Sequence, residues 1–350
     1  MQLVRCRLLR VGPFADVTFQ LTDDGDRPRL ITCVLGSAGT GKSSLIFALA
    51  STRPGHAVVL SRPGVPTPDE TPGAITEWLT GEDEPARPHP LSVATPGAIL
   101  EREGDDATQK RRREQTLFER RATEGGFAFS AFAASRWFSR SPIVLTSPER
   151  SLARYDVRAT PSFDDATRND LTRETKQVLS GAALGAAVSA SVRQPSAFTM
   201  LDDALRVAVT ELVGLVGYAY TGVDPASFEP LFESHGGRTV AFDELPTSAR
   251  HLASFAALPL RALFGAYGQT DPLGHESVVV IDDVELHQDA TTQRALGPAL
   301  RRALPRVQWI VTTSSPNVAL GCEPHEVIAL RRLEASGAVE LHTGSMALVH

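Results

Sequence analysis

Apolar positions along the chain follow two periods, and the switches between them lay out its elements. "QLVRCRLL" and "DVTFQLT" alternate partly between apolar and polar residues, as half-buried strands do. "LITCVL" is apolar throughout and predicts a strand covered on both faces, and "SSLIFALA" continues from it as a buried helix. "AVVLS" from Ala57 predicts another short strand. Between Arg62 and about Glu103 prolines and acids accumulate ("RPGVPTPDETPG", "GEDEPARPHP"), which predicts loops with short elements between them. "QKRRREQTLFERR" is expected to be helical and is followed by a Gly-Gly break and the apolar "FAFSAFAASRWF".

Two longer helical patterns come next. "DDATRNDLTRETKQVLSGAALGAAV" sets Leu171, Val178, Ala182 and Leu184 toward one side. "AFTMLDDALRVAVTELVGLV" aligns Leu201, Leu205, Ala208, Leu212 and Leu215 on a sharper stripe. Neither sustains heptads, so long coiled-coil arms are not expected. From Phe228 strands return: "RTVAF" ahead of a helix starting near Thr247, the buried "SVVVIDD" and "VQWIVTT", and a hairpin in "EVIALRRLEASGAVELHTG" turning at Ser336-Gly337. This order predicts an α/β fold with a wound core sheet interrupted by a largely helical insertion. The expected division is 1–60 and 236–350 as two halves of one core, with 61–235 inserted, loop-rich and then helical.

Chemistry enters at "GSAGTGKSS", Gly36 to Ser44, which fits G-x-x-x-x-G-K-[ST] without a mismatch. In such a loop Gly36, Ser37, Ala38, Gly39, Thr40 and Gly41 curl backbone N–H groups around phosphate oxygens, and the following helix presents its positive end. Lys42 would reach the β- and γ-phosphates of ATP, Ser43 would ligate Mg²⁺, and Ser44 closes the motif. Composition sharpens this assignment. Only three lysines, Lys42, Lys110 and Lys176, stand among 35 basic residues, so a lysine in this loop has a reason to be there. A compact ammonium fits where a planar guanidinium does not.

Hydrophobic content of 42% and charged content of 22% are those of a globular chain, and the formal charge of −6 gives no general attraction for nucleic acid. Cys6, Cys33 and Cys322 are widely spaced and lack metal-site spacing, which suits packing roles in a reducing compartment. No stretch is long and apolar enough for a membrane span and no signal peptide is evident, so a cytoplasmic location is expected. The densest basic run, Lys110–Glu114 with Arg120 and Arg121, is either a solvated helix or a local contact for DNA or RNA. Trp137 and Phe138 in "SRWFSR" are either core residues beside a strand or stacking platforms for bases.

The second acidic element, "VVVIDDVELHQD", ends an apolar strand on Asp282, about 240 residues after Lys42. Asp282 is the expected magnesium ligand opposite Ser43. Here the chain resembles a known group. "VRCRLLRVGPFADVTFQL…LITCVLGSAGTGKSSLI" looks like the opening of ABC-type P-loop ATPase heads of the SMC, recombination-repair and OLD-like group, with Ala38 where Asn is usual. "VVVIDDVELHQDATTQRAL" is similar to that group's acidic segment, with Asp282, Glu285, His287 and Gln293 aligning, and "WIVTTSSPNV" is similar to its switch segment. "VAFDELPTSARHLASFAAL" falls where its signature helix belongs.

The resemblance implies an ABC-type head with an N-terminal antiparallel β subdomain, in which two heads sandwich two nucleotides. One head's signature helix then caps the phosphate held by the other. Three motifs depart from the pattern, at four positions: Pro246 and Ser248 replace the signature's serine and glycine, Asp283 takes the place of a catalytic glutamate, and Ser314 that of a switch histidine. Thr247 as a helix cap, Ser248 and Arg250 as a cation are the expected trans contacts. Asp283, helped by Glu285, is expected to orient water, and Ser314 to hydrogen-bond phosphate.

Loss of such transition-state groups typically costs about 10²–10³ in rate. The implied function is therefore an ATP-binding, slowly hydrolysing ATPase, dimeric or larger, that drives or gates a separate effector protein in DNA maintenance or anti-phage defence. The alternative is a nucleotide-gated scaffold without turnover. A small-molecule kinase with Arg136 and Arg140 in a lid, or a transporter subunit, fits less of the pattern. About fifteen residues follow the last core strand, with no nuclease-like segment, so effector chemistry is expected on another polypeptide.

Overall fold

The computed structural model describes residues 1–58, 60, 71–79, 91–98, 127–156, 166–191 and 196–348. Its centre is a six-stranded sheet. The apolar run around Cys33 forms β3 (Ile31–Gly36), a central strand whose neighbours both come from the far end of the chain. Antiparallel β1 (Gln2–Val11) and β2 (Phe14–Gln20) precede β3 and belong to a separate four-stranded sheet, with β4 (Gly73–Leu79) and β5 (Leu91–Ala94) in the order β2-β1-β4-β5.

The core sheet is completed by β6 (Phe129–Phe132), β10 (Ser277–Ile281), β11 (Val307–Thr313), β12 (Val327–Arg332) and β13 (Val339–Thr343). Its order is β13-β12-β3-β11-β10-β6, parallel throughout except for the β12–β13 hairpin. β7 (Tyr218–Val223), β8 (Pro230–Ser234) and β9 (Thr239–Ala241) make a small antiparallel sheet of their own.

Strand alternation separates two cores. Val279, Ile281 and Val311 face a helical layer, while Val278, Val280, Ile310 and Val34 face the N-terminal sheet and α1 (Lys42–Ser51). Both faces are covered, which is why these strands are continuously apolar. In the helical layer α2 (Thr172–Ser191) and α3 (Ala197–Val213) pack on the largely buried α4 (Thr247–Ala266), and α5 (Ala290–Ala303) packs on α3. Leu201, Leu205, Ala208 and Leu212 are fully buried, as their stripe requires.

The region 61–235 contributes more than loops and helices: β4 and β5 extend the N-terminal sheet, and β6 forms one edge of the core sheet. Of the strand expected from Ala57, the described part includes Ala57, which is extended in the short strand His56–Ala57 and paired with Thr52–Arg53. The basic run Lys110–Glu114, with Arg120 and Arg121, lies outside the described residues. Among the described residues no helix is long and apolar enough to cross a membrane.

Candidate functional site

The parallel strands end at one edge of the sheet, and the candidate residues gather there. In open α/β sheets this carboxyl edge is where ligands bind. β3 runs into the loop Gly36–Gly41, which turns through left-handed backbone at Gly39 (φ 78°) and Gly41 (φ 96°). Ser37, Ala38 and Gly39 form an exposed lip, and Thr40 Oγ1 donates to Ser37 O at 2.8 Å. A Cβ on Gly36 would lie 2.4 Å from Thr40 Oγ1, so the curl needs glycine there. Lys42 opens α1, largely buried, and its Nζ donates to Gly36 O at 2.8 Å and Ser37 O at 3.2 Å. Ser43 and Ser44, in the first turn of α1, are partly buried beside it.

Across the intervening strand β11 stands Asp282, buried at the end of β10. Thr312 on β11 holds both acids: its hydroxyl donates to Asp282 Oδ1 at 2.6 Å and accepts from the Asp283 N–H at 2.9 Å. Asp283 is half-buried and left-handed (φ 46°). Burial pushes its carboxyl above the usual range, and the negative Asp282 and Glu285 add to the rise, while Lys42 and Arg136 oppose it. The loop lysine and the acidic turn thus lie at the same sheet edge, separated by the one strand β11.

Glu285 meets the switch segment. Its Oε1 accepts from Ser314 N–H at 2.7 Å and from Ser314 Oγ at 2.8 Å, so the carboxylate ties the switch segment to the acidic turn. The exposed Ser314 hydroxyl is correspondingly engaged with Glu285. Gln293 joins the same web, donating to Gln288 O at 2.7 Å and accepting from Ser315 Oγ at 2.6 Å.

The signature-like segment begins α4, where the N-cap is Pro246; Thr247 is the first helical residue and does not cap. Instead Thr247 Oγ1 accepts from Arg250 Nη2 at 3.2 Å, and the Arg250 guanidinium lies over the Phe138 ring, 5.3 Å from its centre. Ser248 O accepts from Gln288 Nε2 at 3.2 Å. Among the described residues the partners of Thr247, Ser248 and Arg250 thus belong to this helix end, Phe138 and the acidic turn, not to the phosphate loop of the same chain. Phe138 is partly buried and packs against the core, on Phe242 and His251, whereas Trp137 is 43% exposed.

Two further residues were hidden in the sequence. Arg136, considered as a lid arginine, is buried and donates to the carbonyls of Ala133, Asp282 and Asp283, with its charge over the Phe255 ring of α4. Burial pulls its guanidinium down to about 10. Thr312 lay in the quoted "VTTSSP", and the doubled hydroxyl at a strand end was its signal.

A loop of this shape beside a threonine-held aspartate, with one strand between them, defines the α/β P-loop architecture. No family model matches the sequence, and no curated protein matches it. Solved structures do. An SMC head bound to the C-winged helix domain of ScpA aligns at TM-score 0.54 and 12% identity, covering 99% of each chain. The Smc head with an extended coiled coil bound to the C-terminal domain of ScpA derived from Pyrococcus furiosus aligns at TM-score 0.50 and 10% identity, covering 98% of this chain and 96% of that one. The chain therefore has the fold of an ABC-type ATPase head similar to SMC heads, with an N-terminal β subdomain and a largely helical insertion.

Proposed function

We propose that this chain is an ATP-binding ABC-type head that dimerises around nucleotide, hydrolyses it slowly and drives a separate partner protein. One observation carries the reading: Lys42, on the glycine loop, and the Asp282–Asp283 turn, about 240 residues apart in sequence, follow strands β3 and β10 at the same edge of the sheet with only β11 between them. Ser43 and Asp282 fit a magnesium ion, since Thr312 fixes Asp282 through one oxygen only. No cluster of three or more metal-binding side chains occurs among the described residues, so the remaining ligands would be phosphate and water oxygens, as magnesium prefers. Bound there, the ion supplies charge neutralisation at the phosphates.

In this reading Asp283 orients the water and accepts its proton. Its raised affinity for protons suits a base, while its short side chain and the absence of imidazole at Ser314 favour slow turnover. The two ScpA-bound heads support a protein partner for this chain as well. The engagement of one Glu285 oxygen by Ser314, which ties this carboxylate to the switch segment, favours a second reading as a nucleotide-gated scaffold without turnover.

Calorimetric titration of MgATP, with mass measured by light scattering, tests both. Wild-type protein is expected to bind and double its mass, and Lys42→Ala to do neither. Asp283→Asn should keep the dimer and lose phosphate release. Wild-type protein that ignores MgATP would sink the reading; a dimer whose phosphate release is nil in both wild type and Asp283→Asn favours the scaffold.

A further inference from the structure

We propose that Arg332 is a second cationic contact for the nucleotide phosphates, an inference that rests on the ATP-binding reading above. Strand β12 lies parallel beside β3 with Leu330 opposite Gly36, so its last residues overhang the phosphate loop. The approach is close, since a Cβ on Gly36 would lie 3.1 Å from Leu330 Cβ. Arg332, two residues on, shares Leu330's side of the strand. Its Nη2 donates to Gly39 O on the exposed lip of the loop, and its Nη1 to Gly337 O, in the turn of the hairpin, at 3.3 Å. The guanidinium lies against Gly39 itself: a Cβ built there would be 3.6 Å from Nη2.

Charge and geometry then give this side chain its role. Asp282, Asp283 and Glu285 bring three carboxylates to a place proposed for a polyanion, and the loop contributes one cation, Lys42. Arg136 is turned toward the carbonyls behind the acids and is buried. Arg332 is exposed, and among the described residues no carboxylate pairs with it. A guanidinium has five N–H donors in a planar fork, more than two carbonyls need, and the fork matches phosphate oxygens. The carbonyl contacts hold the group beside the loop, and the remaining donors serve the ligand.

The test separates charge from latching. Arg332→Gln keeps an amide that can donate to Gly39 O but loses the charge. Its affinity for MgATP is expected to fall about tenfold or more, with an unchanged urea midpoint and a shallower salt dependence than wild type. Arg332→Lys should fall between the two. If Arg332→Gln lowers the midpoint as well, the salt dependence decides: a slope equal to that of wild type overturns the inference. Affinity within about twofold of wild type, while Lys42→Ala loses binding, overturns this inference and leaves the ATP-binding reading standing. Wild-type protein that does not bind MgATP overturns both.

Discussion

Gly41 has φ 96°, and a Cβ there would sit 2.5 Å from the Phe14 ring and 2.8 Å from Pro13 Cγ. The β1–β2 turn thus braces the phosphate loop from below. Gly41→Ala combines left-handed strain with a clash and is expected to lower unfolding free energy by about 2 kcal/mol, read from urea titrations, and to weaken nucleotide binding. At His251 burial comes first, helped by the positive Arg136, in pushing the imidazole down to about 3. His287 and Arg250 act the same way, and the bond from Nδ1 to Thr247 O opposes them. The unfolded chain takes up this proton near its ordinary pKa of about 6.5 and the folded chain does not. The stabilising contribution is therefore full above about pH 6.5 and is lost as pH falls toward the folded value. Acidifying from about pH 7 to about pH 5.5 should cost roughly 1 kcal/mol through this residue. His251→Gln should flatten that part of the pH profile; an unaltered slope would show that another group carries it.

Elements meet through a small number of charged anchors. Lys176 on α2 is buried and donates to Ser141 O at 2.8 Å, to Glu229 at 3.1 Å and to Asp243 at 2.7 Å. It joins the insertion to the small sheet and to the segment entering α4. Glu229 and Asp243 keep 21% and 27% of their side-chain surface, so both can rehydrate when the ammonium is removed. Lys176→Met is accordingly expected to cost about 2 kcal/mol in chemical denaturation rather than the roughly 3–5 kcal/mol of a sealed pair. Helices and central strands were legible in the sequence because their periods are long and clean, and the glycine loop because its spacing is rare. β6 was not, since "FSAF" is too short to show a period, and β4 and β5 sit between proline-rich flanks. The contacts of Arg136, weighed only as a lid arginine, and those of Arg332 were not legible for a different reason. Arginine supplies nearly all the positive charge here, so neither stands out by residue type.

At the scale of the molecule, the sheet is threaded in an order unlike that of its sequence. β3 is bonded on one side by β11 and on the other by β12, and both neighbours come from the last fifty or so residues. During synthesis at about 5–20 residues per second, the glycine-loop strand waits roughly 15–55 s before either flank emerges. Throughout that interval it is an apolar ribbon with two open edges, the arrangement most prone to pairing with other chains. A chain ending at Arg306 is expected to be recovered in inclusion bodies rather than as a smaller soluble head, and its solubility on expression checks this. For the growing polypeptide, safe passage through the cell's quality control depends on the C-terminus arriving before a neighbouring nascent chain does.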